Sequence, residues 1–320
     1  MFLNQVQRRM LLRRVLQAIP VLILATFAVF MLLKLLPGDV AVTLAGENAT
    51  EERIDEIRRL YGLDRPLLIQ YFDWVRGAVV GDLSVSLLSG EAVSTTLLRV
   101  FPNTLFIVVY AIVLSVIFGV GLGMLAASRP GGALDRGVMI VSSVGVALPN
   151  FWVAMIFVGA FALNRNWFPA TGFVPATEDF GAALWHATLP AVALAASGTA
   201  EVARQLRSSL VEVLRSAHFR TLHAKGLGPR AILWKHGLRN VSVNLLTVVS
   251  LLVNRTLAAT VVVEVVFAIP GMGNTIVNAT LQRDFPVVQG VVLAMVVTVI
   301  LVNLIADMLY SVLDPRIAQQ

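Results

Sequence analysis

The chain has 320 residues, of which 57% are hydrophobic and only 14% charged, with a mean hydropathy of +0.80. Soluble domains carry about a quarter of their residues as charges, so these figures exclude an ordinary soluble protein and indicate an integral membrane one. The absence of cysteine rules out disulfides, thiolate catalysis and cysteine-ligated metal clusters. The net charge of +6 is read as basic flanks facing the cytoplasm, with no nucleic-acid partner.

About 20 apolar residues cross a bilayer core, and six segments meet that length: about 15–35, 103–127, 138–163, 187–207, 241–267 and 287–312. The first run, Val15 to Leu33, is too long for a signal-peptide core and is read as a retained helix. Arg8, Arg9, Arg13 and Arg14 precede it and place the N-terminus in the cytoplasm. Six spans then return the C-terminus to the same side, with cytoplasmic loops near 128–137 (Arg129, Arg136) and 208–240 and a tail bearing Arg316.

The long segment 37–102 lies on the outer side. Within it Thr50 precedes an acidic first turn, the pattern of a helix N-cap. Ile54, Ile57 and Leu60 or Tyr61 recur at helical spacing until Gly62, and a second amphipathic helix is expected to start near Pro66. In the second span "GVGLGM" (119–124) is expected to be a close-packing helix face rather than a nucleotide loop.

The third span is read as one helix over 138–163. The fourth is the weakest, because Glu201 and Arg204 enter before a full span is complete. Charges in lipid are costly unless paired or facing water, so this should be an inner helix. Glu201 and Arg204, one turn apart, are close enough to pair with each other, and are assigned to packing, gating or substrate contact.

Residues 208–240 hold a dense basic stretch. Leu210, Leu214, Ala217 or His218, and Thr221 or Leu222 form a helical stripe that stops at "GLGP", and "PRAILWKHGLRN" restarts with Pro229 in a first turn. Arg215, Arg220, Lys225, Arg230 and Lys235 recur every five positions, a rotation of about 500° that distributes them around the element instead of along one face. A helix lying on anionic lipid would segregate its charges. Insertion into a cleft of another protein and a simple solvated loop both remain open from the residues alone.

Resemblance to a known family favours the first. "FRTLHAKGLGPRAILWKHGLRN" resembles the cytoplasmic coupling loop of permease subunits in the bacterial dipeptide/oligopeptide/nickel branch of ABC importers. Arg220, Thr221, Ala224, Lys225, Gly226 and Leu227 match the first half of that motif, and His236, Leu238, Arg239 and Asn240 the second; Leu222 departs from the family's usual alanine. "LLPGDVA", "YGLDRPLLIQYFDWVRGAVVGDLSVS", "VVVEVVFAIPGMG" and "LVNLIADMLYSVLDPR" are similar to the same family, so the resemblance covers nearly the whole chain.

The resemblance implies an all-α membrane protein of the type I ABC importer permease fold, with six helices, both termini in the cytoplasm, and a small helical extracytoplasmic segment after the first. The chain would divide into an N-terminal helix (1–36), an outer segment (37–102) and a five-helix core (103–313). It implies a multi-pass subunit of the bacterial inner membrane that is not itself an enzyme and forms half of a translocation pathway for di- or oligopeptides. Nickel, glutathione or sugar import is the alternative within the family. Implied partners are a second, similar permease, two ATPase subunits carrying ATP and Mg, and an extracytoplasmic solute-binding protein. An ion-driven secondary carrier is the alternative from another class, and the lack of an inverted repeat counts against it.

No G-x-x-x-x-G-K-[ST] motif occurs, so the chain itself is expected to bind no ATP, and neither a cofactor nor a metal is assigned to it. Arg255 and Glu264 in the fifth span are nine residues apart, about 900° of rotation, and point to opposite sides. Glu264 sits near the outer mouth. Arg255 occupies a place where the family usually has a small residue, and either contacts a carboxylate in the path or snorkels between subunits. Asn303, Asp307 and Asp314 are read as interhelical glue with a Pro315 stop. Three of the four histidines, His218, His223 and His236, lie in the coupling stretch.

Overall fold

A computed structural model describes residues 5–35, 40–45 and 49–313. The Asp314-Pro315 stop, Arg316 and most of the "LLPGDVA" stretch lie outside the described residues. Among the described residues the structure is helical, with a single isolated antiparallel bridge between Val85 and Ala92. Five helices are long and apolar enough to span a membrane: α1 (Gln5–Leu35, spanning from Leu16), α5 (Val93–Ser128), α8 (Phe180–Leu214), α12 (Ser242–Val266) and α14 (Phe285–Leu313). A sixth candidate span is broken in two.

That broken span, α6 (Ala133–Ala147) and α7 (Asn150–Phe157), corrects the expectation of one helix over 138–163. Its halves bend by 98° at Leu148-Pro149. The cause is local. Proline offers no N–H and drives the preceding residue out of the helical region, and Leu148 is extended, at φ −81 and ψ 128. The helix restarts at Asn150 and ends in a wide π-type turn, π1 (Val158–Leu163).

The chain forms two compact units. One is built on Asn103–Pro270 and the chain from Val299 onward; the other combines Arg13–Pro102 with Gly271–Thr298. In the first unit α8 is the central helix and packs against α6, α7 and α12. It is also the most buried of the five single-helix spans, at 44% of its apolar window, as expected for an inner helix. Its core-facing residues are small, including Ala187, Ala191, Ala195, Gly198, Ala200 and Ala203, which lets neighbouring backbones approach closely. A Cβ on Gly119 would lie 2.6 Å from Val202, and one on Gly123 2.9 Å from the Ala203 carbonyl. The "GVGLGM" stretch is therefore a packing face of α5 against α8.

The second unit contains the short helices α2 (Val40–Ala45), α3 (Glu51–Leu60), α4 (Leu67–Val79) and α13 (Met272–Leu281). The Thr50 hydroxyl caps α3 by accepting from the Arg53 N–H, Ile54 and Ile57 are buried, and Gly62 ends the element at φ +64. Leu60 and Tyr61 do not continue the buried stripe: they are 75% and 42% exposed. Helix α4 is fastened to α1 by Tyr71, whose hydroxyl donates to the Ile23 carbonyl at 3.1 Å and whose ring meets Phe27 edge-on at 5.1 Å. Buried Asp284 accepts from the Ser86 hydroxyl and the Leu87 N–H, tying the 84–92 turn to the start of α14.

Candidate functional site: a basic segment and a charged cavity joined by one helix

Helix α8 stops at Leu214 and the chain turns at Arg215 and Ser216 into α9 (Ala217–Ala224). The stripe starting at Leu210 is thus split between two helices, a correction to the single element expected. After Lys225, Gly226 takes φ +79, a left-handed conformation that side chains rarely adopt. Pro229 then opens α10 (Pro229–Ala231), which runs through a π-type turn, π2 (Ile232–Gly237), into α11 (Leu238–Asn240).

The segment has an anchored side. Phe219 and Ile232 are almost fully buried and Leu233 joins a cluster with Met124, Leu206 and Leu210. Gly237 sits so close to α8 that a Cβ would lie 3.1 Å from Leu210. All five regularly spaced basic residues, Arg215, Arg220, Lys225, Arg230 and Lys235, are exposed. Thr221, Ala224, Gly226, Arg239 and Asn240 are also exposed, while Leu227 and His236 are half-buried. The predicted coupling residues therefore form a protruding basic surface on a greasy footing. Trp234, 54% exposed among these cations, escaped the reading of charge spacing. Its signal was a lone tryptophan in a polar stretch, since exposed aromatics favour interfaces.

Just above this segment on α8, Arg207 grips Asp135 of α6. Nε and Nη2 donate to the two carboxylate oxygens at 2.9 and 2.6 Å, and the Gly131 N–H adds a third bond at 2.7 Å. Asp135 is 4% exposed and Arg207 26%. This fork-to-fork pair is the strong form of an ion pair, and no local spacing announced it, because 72 positions separate the partners.

Six residues earlier on α8 is Glu201, which pairs not with Arg204 but with Arg255 of α12, whose Nη1 donates to both carboxylate oxygens at 2.8 Å. The Glu201–Arg204 pair that the spacing allows is not formed and Arg204 is exposed. Glu201 and Arg255 face a cavity of about 320 Å³ at the α6–α7 break. Asn150, Ser197 and Thr256 supply its other polar lining; Val146, Leu148, Leu252 and Ala259 supply the apolar part. The Ser197 hydroxyl donates to Asn150 Oδ1 at 2.9 Å.

Glu264 lies elsewhere in this unit, fully buried, accepting from Thr104 at 2.6 Å. It belongs to the packing of α12 against α5 and is not among the residues lining the cavity. Asn303 accepts from Asn254 at 3.1 Å, a contact of the interhelical kind expected of it. Among the described residues no cluster of three histidine or acidic side chains could hold a metal.

Comparison with known proteins identifies the family. Residues 119–319 match the family of binding-protein-dependent transport system inner membrane components, and residues 7–108 match the N-terminal family of the same membrane components. The chain belongs to this family. A putative peptide transport system permease of Brucella abortus is 36% identical over 96% of this chain and 98% of its own length. An oligopeptide permease of Bacillus subtilis is 34% identical, and a di/tripeptide permease of Pseudomonas aeruginosa 36%, each with the same coverage. The fold matches that of the inward-facing MetNI methionine ABC transporter with a TM-score of 0.58, at 16% identity over 68% of this chain and 96% of that one.

The chain is therefore a multi-pass inner-membrane permease subunit of an ABC importer, with the type I importer permease fold and not an enzyme in its own right. Membership sets aside the ion-driven carrier. Members of the family work with an ATPase and a substrate-binding protein.

Proposed function

We propose that this permease forms half of a translocation path for short peptides and that its basic segment receives the stroke of a partner ATPase. The observation that carries the proposal is the continuity of α8. One helix of 35 residues, about 52 Å long, bears Glu201 at the cavity, Arg207 at the ion pair and the footing of α9 at its end. A force applied to α9 and the turn after it through Arg220, Thr221, Ala224, Lys225, Gly226 and Leu227, or to π2 and α11 through His236, Arg239 and Asn240, reaches the cavity along a rigid rod. ATP and Mg belong to the partner that receives this surface. In this reading the basic N-terminal flank (Arg13, Arg14) and the basic segment both face the cytoplasm, the side on which Lys and Arg concentrate.

The substrate class is supported by the names of the three relatives above, all peptide permeases. A second permease of similar kind completes the path. Arg255 lies mid-span with 65% of its side chain exposed; a cation at that depth must face protein or water rather than lipid, so this chain alone leaves the cavity open. Gentle purification of the tagged chain from its native membrane, followed by mass spectrometry, tests the assembly. A P-loop ATPase, a second permease and a solute-binding protein carrying peptide are expected. A homo-oligomer that transports without any ATPase overturns the proposal.

A further inference from the structure

We infer that Arg255 is the receptor for the C-terminal carboxylate of the transported peptide, with Glu201 as the counter-ion that orients it. This rests on the peptide reading above and adds which end of the substrate the membrane subunit reads.

The geometry of the pair is the starting point. A guanidinium carries five N–H donors in a planar fork, and its strongest carboxylate contact uses two nitrogens against two oxygens. Asp135 and Arg207 bind in that way. Glu201 and Arg255 do not: a single nitrogen, Nη1, serves both oxygens at 2.8 Å. The Nε–Nη2 edge of Arg255 makes no hydrogen bond to any described residue, and the side chain is 65% exposed. Glu201, 25% exposed, holds the arginine by its tip and leaves the bidentate edge open beside the cavity. A buried structural pair would close that edge; a receptor keeps it open.

The cavity has the composition of a small-molecule site. Its volume of about 320 Å³ falls at the low end of the 300–1,000 Å³ usual for such sites. The amide nitrogen of Asn150 donates to no described residue, while Asn150 Oδ1 is occupied by Ser197; that leaves an N–H donor for a peptide carbonyl. Leu148, Leu252 and Ala259 offer apolar contact to a side chain without selecting one. The arrangement reads the features that peptides share, a carboxylate and an amide, and stays neutral to the features in which they differ. Glu201 tempers the attraction: with its charge beside Arg255 the site presents no uncompensated cation when empty, and a carboxylate held there can leave again.

The test uses the whole importer in proteoliposomes, with dialanine and dialanine amide each supplied at a concentration that saturates the binding protein, so that delivery does not set the ratio of the two rates. Wild type should favour the free carboxylate. Arg255→Gln should cut that preference by at least about tenfold, the order expected for loss of a charge-assisted bidentate contact, while still transporting the amide. Glu201→Gln keeps an oxygen for Nη1 but removes the competing charge, and should raise the preference.

An assembled Arg255→Gln complex that keeps the wild-type ratio, or that transports neither compound, overturns the inference, the latter because it assigns Arg255 to gating. If Arg255→Gln does not assemble, Glu201→Gln decides, and a ratio that stays level or falls overturns it. A wild-type complex that carries both compounds equally overturns the subsite alone. One that carries neither overturns the peptide reading and the subsite with it.

Discussion

Replacing Asp135 by asparagine tests whether α8 is braced as a transmitting rod. The substitution preserves shape and removes one charge. Asp135 now accepts three bonds, from Arg207 Nε, Arg207 Nη2 and the Gly131 N–H. Asparagine offers one oxygen, and its NH2 group must face one of these donors. Breaking one side of a buried ion pair costs about 3–5 kcal/mol. Arg207 keeps 26% exposure, so water recovers part of its solvation, and about 2–3 kcal/mol is the better expectation. Thermal unfolding of the detergent-solubilised complex should show a lower midpoint for Asp135→Asn. Replacing both partners, as in Asp135→Leu with Arg207→Met, should recover most of the loss, because a well-packed apolar pair is often neutral against a buried ion pair. A double-mutant cycle isolates the coupling. Asp135→Asn unfolding at the wild-type temperature, or a double variant worse than either single one, would refute the reasoning, and with it the idea that α6 steadies the inner end of α8.

Three further expectations concern other contacts. Gly198→Ala would place a Cβ 2.5 Å from the Ser115 hydroxyl and 2.8 Å from Leu252; overpacking of this kind costs about 1–3 kcal/mol, visible as a lower unfolding midpoint that Ser115→Ala partly restores. Reversing charge on the exposed face of α9, with Arg220→Glu and Lys225→Glu, should release the ATPase in a pull-down and reduce uptake by tenfold or more while the two permeases stay together. Glu91, in the outer segment, accepts from the Thr96 hydroxyl at 2.9 Å and from Arg99 at 2.8 and 3.2 Å. The Thr96 hydrogen bond first, and Arg99 after it, hold its carboxyl below the ordinary 4.5. A depressed carboxylate pKa contributes its stability above the ordinary value and loses it as pH falls through the lower one. Amide-exchange protection at the start of α5 should therefore hold steady from pH 7 to about 4.5 and decline only below that, with Glu91→Gln flat throughout.

What the sequence disclosed and what it withheld divide by range. The Thr50 cap, the stop at Gly62, the Gly119–Gly123 packing face and the restart at Pro229 are all marked by residues within one or two turns, and each is present. The break at Leu148-Pro149 was local too, yet a hydropathy window passes across it because neither residue is polar. A proline with an apolar residue before it carried the signal, and apolar content alone concealed it. The ion pairs are different in kind. Glu201 had a cation one turn away in Arg204, and helix geometry permits that pair. The partner chosen is instead 54 positions distant, since α12 crosses α8 at that level and brings Arg255 to the cavity side.

Helix α8 looked least like a membrane span. Its apolar window averages 1.3, against 1.8 to 2.8 for the other four single-helix spans, and Glu201, Arg204 and Arg207 crowd its later half. Two of the three are committed to contacts with other helices, Glu201 to α12 and Arg207 to α6, and such contacts require a helix enclosed by protein rather than lipid. A helix enclosed on several sides is also the one whose displacement is felt by its neighbours α6, α7 and α12 together. These committed charges therefore single out α8 as the helix to perturb under the proposed coupling, and Arg207, lying between the basic segment and the cavity, is the first position to change.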